Sequence, residues 1–350
     1  MMEKDINHRK TEHIKLCLTD QVEGVNKSTG LEGISFIHNA LPEINFHDIN
    51  IETSFLGKHL KAPFLVSSMT GGSELATEIN VNLAAASEEK GWAIGLGSTR
   101  ALLESRAHED SLLIRKQAKT VPVIANLGAV QFNYGYGVDE CQRIVDATEA
   151  DSLVLHLNSL QEIVQDGGDL NFEDLLPKIK KVCKNLSVPV GVKEVGFGID
   201  GTVAEKLYSV GVHYIDVAGA GGTSWSQVEK LRTEDPLREA AAEAFNNWGI
   251  PTKNCLVSVR SKLPNAPLVA SGGMKSGLDA AKALTIGADV VGYARTLLKA
   301  ATVSVEEVLN VMNQIEFELK MTMFGIGAKN LDDLKNTKRL SIMGRSLLED

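Results

Sequence analysis

Short apolar runs alternate along this chain with segments of helical hydrophobic spacing, and most of the runs end at glycine or polar residues. The stretch 266–300 shows the pattern best. An apolar run of strand length at 266–270 stops at Ser271-Gly272-Gly273, and the apolar residues then follow helical spacing as far as Gly287. A second short run follows at 289–292. The pattern predicts two consecutive strand–turn–helix units.

Eight such apolar runs occur in order, at 63–67, 92–96, 121–125, 151–156, 188–192, 212–217, 266–270 and 289–292. Helical segments separate most of them, among them 139–148, 171–184 and 200–210. Alternation of this kind predicts a parallel sheet with right-handed crossovers, and eight units favour closure into a (β/α)8 TIM barrel. We therefore predict an α/β fold with one barrel domain, 63–350.

Two further segments flank the repeating pattern. Residues 1–62 form an N-terminal extension that begins with a polar, charged stretch we expect to be mobile. Within it, 53–61 alternates around Gly57 and predicts a small hairpin that closes the bottom of the barrel. At the other end, 303–323 predicts an amphipathic C-terminal helix.

Composition narrows the function classes. The 350 residues fit one barrel with added segments, although two average domains would also fit. A net charge of −9 argues against a nucleic-acid surface, so an anionic ligand needs locally placed Lys and Arg. The four scattered cysteines predict neither a zinc site nor a disulfide framework, and they indicate a reducing compartment. No secretory signal or membrane-spanning run is recognisable, so we expect a cytoplasmic protein.

Polar residues cluster at the predicted carboxyl ends of the strands, which is where barrels place their ligand sites. One polar residue at a strand end is usually a turn former, but twelve on one rim predict a ligand site. They are Thr70, Ser98, Arg100, Asn126, His156, Asn158, Gln161, Glu162, Lys193, Thr223, Ser271 and Arg295.

Gly272-Gly273 lets backbone N–H groups approach an anion, and in many barrels a phosphate lies between the last two loops. The alternative is a pair of tight turns without a ligand. Lys193 ends an apolar run, so its ammonium needs an anionic partner. That partner is either Glu194, a ligand anion or an electron-rich flavin ring, and a Schiff-base lysine is a further alternative.

The patch after the fourth strand offers a different chemistry. Glu162 is one carboxylate, which suits a Mg²⁺ ion that keeps most of its waters and shares phosphates with a substrate. Arg9, Lys10 and Arg100 would supply the positive charge that a diphosphate needs, unless Arg9 and Lys10 are merely a solvated basic patch. His156 is equally compatible with a structural imidazole.

Eight motifs resemble those of the type 2 isopentenyl-diphosphate isomerases, a flavin-dependent family of archaea and many bacteria. The most specific part is HLNSLQE together with GAGGTSW, which occur in order and at matching barrel positions. The motifs are RKTEHI at 9–14, FIHNALPEI at 36–44, SSMTGG at 67–72, GSTRA at 97–101, HLNSLQE at 156–162, VGVKEVGFG at 190–198, GAGGTSW at 219–225 and ASGGMKSG at 270–277.

The resemblance implies an FMN-binding barrel that interconverts isopentenyl and dimethylallyl diphosphate without net redox change. Such enzymes need reduced FMN and Mg²⁺, use NADPH as the usual electron source, and form tetramers or octamers. In the family the reduced flavin is thought to act through N5 as acid and base.

The resemblance also implies roles for individual residues. The flavin ring and ribityl chain would be held by Ser67, Ser68, Met69, Thr70, Ser98, Asn126, Lys193 and Thr223. The backbone of Gly273, Met274, Lys275, Ala294 and Arg295 would hold the FMN phosphate. Substrate would be met by Arg9, Lys10, Ser98, Thr99, Arg100 and Gln161, the metal by Glu162, and the reacting centre by His156, Asn158 and Gln161. Thr99 departs from the family's usual Gln, so we expect it to lose a side-chain contact with substrate.

Two rival functions remain at this point. One is a different FMN barrel, an oxidoreductase acting on hydroxy acids or nucleotides. However, the loop after strand six contains no cysteine nucleophile, and no His follows His213 to form a late His–Arg pair. The other is a flavin- or phosphate-binding protein without catalysis, which would not require His156, Gln161 and Glu162 together.

Overall fold

The computed structural model describes residues 2–24, 27–104, 109–342 and 345–346. Eight parallel strands close into a barrel in chain order, and the last strand pairs with the first. Three short strands precede it: β1 (Ile34–Phe36), β2 (Thr53–Phe55) and β3 (Lys58–Leu60). The barrel strands are β4 (Phe64–Val66), β5 (Ala93–Gly95), β6 (Val123–Gly128), β7 (Ser152–His156), β8 (Val190–Lys193), β9 (Tyr214–Asp216), β10 (Leu268–Ala270) and β11 (Val290–Tyr293). Two strands follow it: β12 (Leu340–Ile342) and β13 (Arg345–Ser346).

Helices connect the barrel strands and flank both ends of the barrel. Up to the fifth barrel strand they are α1 (Met2–Cys17), α2 (Glu74–Lys90), α3 (Ala101–Glu104), α4 (Val138–Thr148), α5 (Ser159–Val164) and α6 (Leu175–Asn185). Beyond it they are α7 (Gly201–Ser209), α8 (Trp225–Lys230), α9 (Pro236–Glu243), α10 (Thr252–Lys262), α11 (Gly277–Thr285), α12 (Arg295–Ala301), α13 (Val305–Ile326) and α14 (Leu331–Lys335).

The predicted (β/α)8 barrel is confirmed, and each predicted strand lies within a few residues of an observed one. α2 illustrates why local chemistry made the boundaries predictable. The Ser73 hydroxyl accepts from the N–H of Ala76 at its start, and Gly91 ends the helix with φ 68°. The C-terminal helix is also confirmed, shifted from 303–323 to Val305–Ile326.

The polar N-terminal stretch, which we expect to be mobile, is helical in the described residues, and its mobility stays a prediction. Residues Met2–Cys17 form helix α1, although their charged sequence has no wide apolar stripe. Ile14 is its buried apolar side chain in the described part, at 2% exposure. Charged and polar contacts with loops that are distant in sequence hold much of this helix in place. Hydrophobic periodicity in a sequence does not detect such contacts.

The hairpin β2–β3 closes the bottom of the barrel, as predicted. Phe55 and Leu60 pack against the inward-facing residues of the barrel strands. The Phe55 ring meets the buried Tyr214 ring edge-on at 5.2 Å between centroids. A Cβ at Gly191 would overlap the Tyr214 ring, so a side chain there is excluded. Because apolar side chains fill this end of the barrel, polar side chains are accommodated at the opposite end, where the strands have their carboxyl termini.

The remaining helices cover the outside of the barrel. α13 packs against α2, α11 and α12, and β1 pairs with β12 antiparallel, which joins the two ends of the chain in a small separate sheet. Within the part of the chain that the structure describes, no helix combines the length and apolarity that crossing a bilayer requires.

Candidate functional site

Lys193 lies at the mouth of the barrel as the last residue of β8 and is 8% exposed. Its Nζ donates to the main-chain oxygen of Glu194 at 2.6 Å. The Glu194 carboxylate turns away and accepts from four backbone N–H groups, at residues 195–198. The Glu194 carboxylate therefore makes no hydrogen bond with this ammonium, although the charge of Lys193 opposes the rise in the pKa of Glu194 that burial causes.

Asp216 is a charged neighbour of Lys193 that the sequence analysis missed. It pairs in register with Lys193 across β8 and β9 and accepts from the Ser271 hydroxyl at 2.6 Å. Burial raises the pKa of Asp216, and the Lys193 ammonium opposes that rise. Asp216 lies within the apolar run 212–217, not at its end, so the pattern of polar residues at strand ends does not identify it.

His156 and Asn126 lie side by side at the ends of β7 and β6. The His156 Nδ1 is 2.9 Å from the Asn126 Oδ1, and the Asn126 Nδ2 donates to the Leu96 oxygen at 3.2 Å. That second bond fixes the amide, so Nδ1 of the imidazole carries the hydrogen. Burial, with Lys193 nearby, lowers the pKa of His156 to about 3. At neutral pH the ring is uncharged and has no extra proton to give.

Thr99, which the resemblance places at the substrate, is turned inward. Its side chain is fully buried, at 0% exposure. Both its hydroxyl and its N–H donate to the main-chain oxygen of Asn126, each at 2.7 Å. This agrees with the expected loss of a side-chain contact with substrate, and its place in the substrate site stays a prediction. Thr99 fixes the backbone of the residue that holds His156.

Glu162 lies on α5 among polar groups, some of which lack partners. Its carboxylate accepts from the Asn158 Nδ2 at 2.7 Å and from the Asp169 N–H at 2.8 Å. The Asn158 Oδ1 and the Gln131 Oε1 are buried and have no hydrogen-bond partner among the described residues. Burial raises the pKa of Glu162, as does the charge of Asp169. A hard divalent cation would provide a partner for the unpartnered amide oxygens and would stabilise the ionised form of Glu162. These oxygen groups therefore fit Mg²⁺.

Arg100 is held by carboxylates next to this patch. Its Nη1 is 2.9 Å from the Asp169 Oδ2, and its Nε is 2.6 Å from the Glu104 Oε1. The Gln131 Nε2 donates to the same Asp169 oxygen at 2.7 Å. The predicted phosphate-binding arginine and the predicted metal carboxylate are therefore linked through Asp169.

Helix α1 brings two more cations to the same rim. The Lys10 Nζ is 3.5 Å from the Ser98 main-chain oxygen, and burial lowers the pKa of Arg9. Burial, reinforced by the charge of Arg9, lowers the pKa of Lys10 to about 8. Arg9, Lys10 and Arg100 thus form a cationic cluster whose mutual repulsion an anionic ligand would relieve.

Glu229 of α8 is a second carboxylate that the sequence analysis missed. Its side chain is 0% exposed, and it accepts from the Gln161 Nε2 at 2.9 Å and from the Arg232 Nη1 at 2.7 Å. The His13 Nε2 lies 3.0 Å away. Burial opposes ionisation, but His13, Gln161 and Arg232 lower the pKa of Glu229 below its ordinary value. Glu229 lies one helical turn after Trp225 of the GAGGTSW motif, and this position is the feature of the sequence that could have identified it.

The glycine loops after β9 and β10 pack backbone against backbone. Gly272 and Gly273 have φ values of 97° and 73°. A Cβ at Gly272 would overlap the backbone of Gly219, and one at Gly273 would overlap the oxygen of Gly221. The Thr296 hydroxyl donates to the Met274 oxygen at 2.7 Å and ties this loop to the start of α12. Main-chain groups of 273–275 and 294–295 are thereby brought side by side, which suits a phosphate.

The remaining residues predicted to hold FMN lie around the same mouth. Ser67 is 6% exposed, and its hydroxyl has no partner among the described residues. Ser68 and Met69 are half-buried, Thr70 is buried, and Ser98 and Thr223 are half-buried. The orphaned Ser67 hydroxyl, the Lys193 ammonium and the glycine loops together fit the polar ring edge and the phosphate of a flavin nucleotide. The Arg295 side chain lies elsewhere, against residues 17–23.

Comparisons with known proteins agree with this geometry. Residues 146–340 match the family described as FMN-dependent dehydrogenase. The isopentenyl-diphosphate delta-isomerase of Oceanobacillus iheyensis is 75% identical over 348 residues, which cover 99% of this chain and 100% of that protein. The protein of the same name from Nostoc sp. is 47% identical over 332 residues, covering 95% of each chain.

Among solved structures, a flavocytochrome b2 variant superposes with a TM-score of 0.69 at 17% identity, over 96% of this chain and 84% of that one. A variant of (S)-mandelate dehydrogenase gives a TM-score of 0.66 at 15% identity, over 97% and 99% of the two chains. At such identities the superpositions establish the shared barrel fold only.

Proposed function

Because the chain belongs to the FMN-dependent, type 2 family of isopentenyl-diphosphate delta-isomerases, we propose that it works with reduced FMN and Mg²⁺ at the barrel mouth. One observation carries the proposal. The cationic cluster of Arg9, Lys10 and Arg100 adjoins a carboxylate, Glu162, whose neighbour Asn158 has a buried oxygen without a partner among the described residues. A diphosphate with its metal ion satisfies all of these groups together.

The cofactor and the substrate would use separate parts of the rim. Backbone groups of 273–275 and 294–295 would hold the FMN phosphate, while Lys193 would stabilise negative charge on the reduced ring. Ser67, Ser68, Met69, Thr70, Ser98, Asn126 and Thr223 would line the ring and the ribityl chain. Reduced FMN, when bound, supplies the acid–base group for moving a proton between the two ends of the allylic unit.

The protein's own residues bind and orient the substrate. Arg9, Lys10 and Arg100 hold the diphosphate, and Glu162 with Asn158 holds the metal ion on it. Gln161 bridges Asn158 and the buried Glu229, with contacts of 3.2 Å and 2.9 Å, and so fixes one side of the alkene pocket. His156 acts as a neutral group that orients and accepts rather than as a proton donor.

Helix α1 contributes by covering the mouth. Lys10 reaches the Ser98 carbonyl, and His13 reaches Glu229 and packs edge-on against Trp225 at 5.2 Å. A covered site excludes water, and water would otherwise capture a protonated alkene. Placing α1 over the substrate therefore serves both binding and chemical selectivity.

The test is an anaerobic conversion assay on the purified protein. Isopentenyl diphosphate should be converted when reduced FMN and Mg²⁺ are both present, and omission of either should abolish turnover. Equal turnover by the flavin-stripped protein would overturn the role of the flavin. Turnover insensitive to chelation would overturn the role of the metal.

Several finer features belong to the same proposal. NADPH is the proposed reductant of the flavin, the cytoplasm the proposed location, and a homo-oligomer, tetramer or octamer, the proposed assembly. Residues 1–62 would form the N-terminal segment with the substrate-contacting Arg9 and Lys10 and the barrel-closing hairpin, and residues 63–350 the FMN-binding barrel with its C-terminal helix.

A further inference from the structure

We propose that Arg295 is a positioning residue for the substrate's diphosphate, acting through helix α1. The proposal rests on the function proposed above, because Arg9 and Lys10 matter only if they bind an anion. Arg295 is the first residue of α12, directly after the turn whose backbone was assigned to the FMN phosphate. Its guanidinium, however, points to the N-terminal segment.

The guanidinium clamps the carboxyl end of α1 and the turn that follows. Its Nε donates to the Cys17 oxygen at 2.9 Å, and its Nη2 donates to the Thr19 oxygen at 2.8 Å and pairs with the Asp20 carboxylate at 2.7 Å. The Cys17 carbonyl ends the helix, so a cation there satisfies a free acceptor and complements the helix dipole.

Glu23 adds a second anchor beside the first. Its Oε1 pairs with the Nη1 of Arg295 and lies 3.2 Å from the Nζ of Lys275. The two loops proposed for the FMN phosphate therefore both hold the same N-terminal carboxylate through their side chains. The Ser224 N–H donates to the Val22 oxygen at 2.7 Å, which fixes the same turn to the loop after β9.

The described contacts of the anchored helix are largely polar. Ile14 is buried, Glu12 pairs with Arg232, His13 lies beside Glu229, and Lys10 lies beside the Ser98 oxygen. Lys10 precedes the clamped Cys17 by seven residues, which is roughly 10 Å along a helix. Loosening the clamp therefore moves the two cations off the diphosphate while leaving the barrel intact.

Arg295→Gln tests the proposal, with Arg260→Gln as the matched control. Arg260 is also a partly exposed arginine that donates to several main-chain oxygens, among them Gly287 at 3.0 Å and Pro264 at 2.7 Å. Its ion pair is with Asp289, and none of its hydrogen bonds or ion pairs among the described residues is with α1. Two readouts apply to each variant loaded with FMN: tryptic cleavage after Lys15, followed by mass spectrometry, and the KM and kcat for isopentenyl diphosphate.

We expect Arg295→Gln to speed cleavage after Lys15 and to raise KM, each by about tenfold, with a smaller effect on kcat. Glu23→Gln should shift both quantities in the same direction by less. Arg260→Gln should change neither. If Arg295→Gln does not fold, Glu23→Gln decides the question by the same two readouts.

Unchanged cleavage and KM in both clamp variants would overturn the proposal, as would equal loosening of α1 in the Arg260→Gln control. Failure of the proposed function is separately visible. The wild-type protein would then show no isomerisation, whereas the cleavage readout would still report whether Arg295 holds α1.

Discussion

The Nδ1 of His156 lies 2.9 Å from the Oδ1 of Asn126, whose own Nδ2 is bound to the Leu96 carbonyl. This arrangement allows one tautomer of a neutral imidazole, and burial with Lys193 nearby lowers the pKa of that ring to about 3. The His156 ring therefore stays uncharged near neutral pH. We therefore expect His156 to act through its shape and its hydrogen bonds.

Replacing Asn126 with Asp should restore titration to His156. A carboxylate in place of the amide oxygen would stabilise the imidazolium and raise the pKa of His156 towards its ordinary range. The imidazole carbon-bound proton signals, followed by NMR between pH 5 and 8, should be constant in the wild-type protein and shift in Asn126→Asp. A wild-type His156 signal that titrates near pH 6.5 would contradict this description of the site.

Substrate capture should weaken above pH 8. The pKa of Lys10 is lowered to about 8 by burial and by Arg9, so the free enzyme loses this ammonium as the pH rises through that value. Because the diphosphate binds the charged form, kcat/KM should be constant below about pH 8 and fall above it. Lys10→Arg should move that decline to higher pH, since arginine stays protonated. An unchanged pH profile in Lys10→Arg would show that another group titrates.

Removing the charge of Glu162 should separate metal binding from flavin binding. In Glu162→Gln we expect the Mg²⁺ concentration for half-maximal activity to rise by about a hundredfold, because a buried carboxylate ligand is lost. Bound flavin, followed by its visible absorbance, should stay at the wild-type level. Asp166→Asn is the control, since the Asp166 side chain is 54% exposed and pairs with Arg238. Flavin loss in Glu162→Gln would mean that the two sites have been confused.

Gly272→Ala should destabilise the loop that would hold the FMN phosphate. Its φ of 97° disfavours a side chain, and the added Cβ would overlap the Gly219 backbone. We expect a loss of about 2 kcal/mol in unfolding free energy together with lower flavin occupancy. Gly57→Ala is a matched control with φ 74° and open space around its Cβ. It should cost less stability and leave flavin bound, and equal effects of both would point to backbone strain alone.

The barrel and most of the polar residues at its mouth could be predicted from the sequence. Hydrophobic periodicity and turn-forming residues are local features of a chain, so they can be recognised without the folded structure. Ser73 and Gly91 fix the ends of α2, and His156, Asn158, Lys193 and Ser271 each follow a recognisable apolar run. Glu229 could not be placed in the same way. It lies on a short helix inside a long loop, and its partners His13 and Gln161 are brought to it only by the folded chain.

Two further features could not be predicted from the sequence, for the same physical reason. Helix α1 has too few apolar positions for a periodicity argument, and its anchors to Arg232, Glu229 and Arg295 are distant in sequence. Thr99 was placed with its neighbours Ser98 and Arg100, but its hydroxyl turns inward to the Asn126 carbonyl. The direction of one side chain depends on whether a buried acceptor lies behind it, and only the structure provides that information.

The most direct test of the central claim compares product formed with reductant consumed. The protein is reduced once with NADPH under anaerobic conditions, and isopentenyl diphosphate is then added with Mg²⁺. An isomerase that uses reduced flavin without net redox change should form dimethylallyl diphosphate in large excess over the NADPH oxidised. One molecule of NADPH oxidised for each molecule of substrate converted would contradict the proposal and indicate an FMN-dependent oxidoreductase.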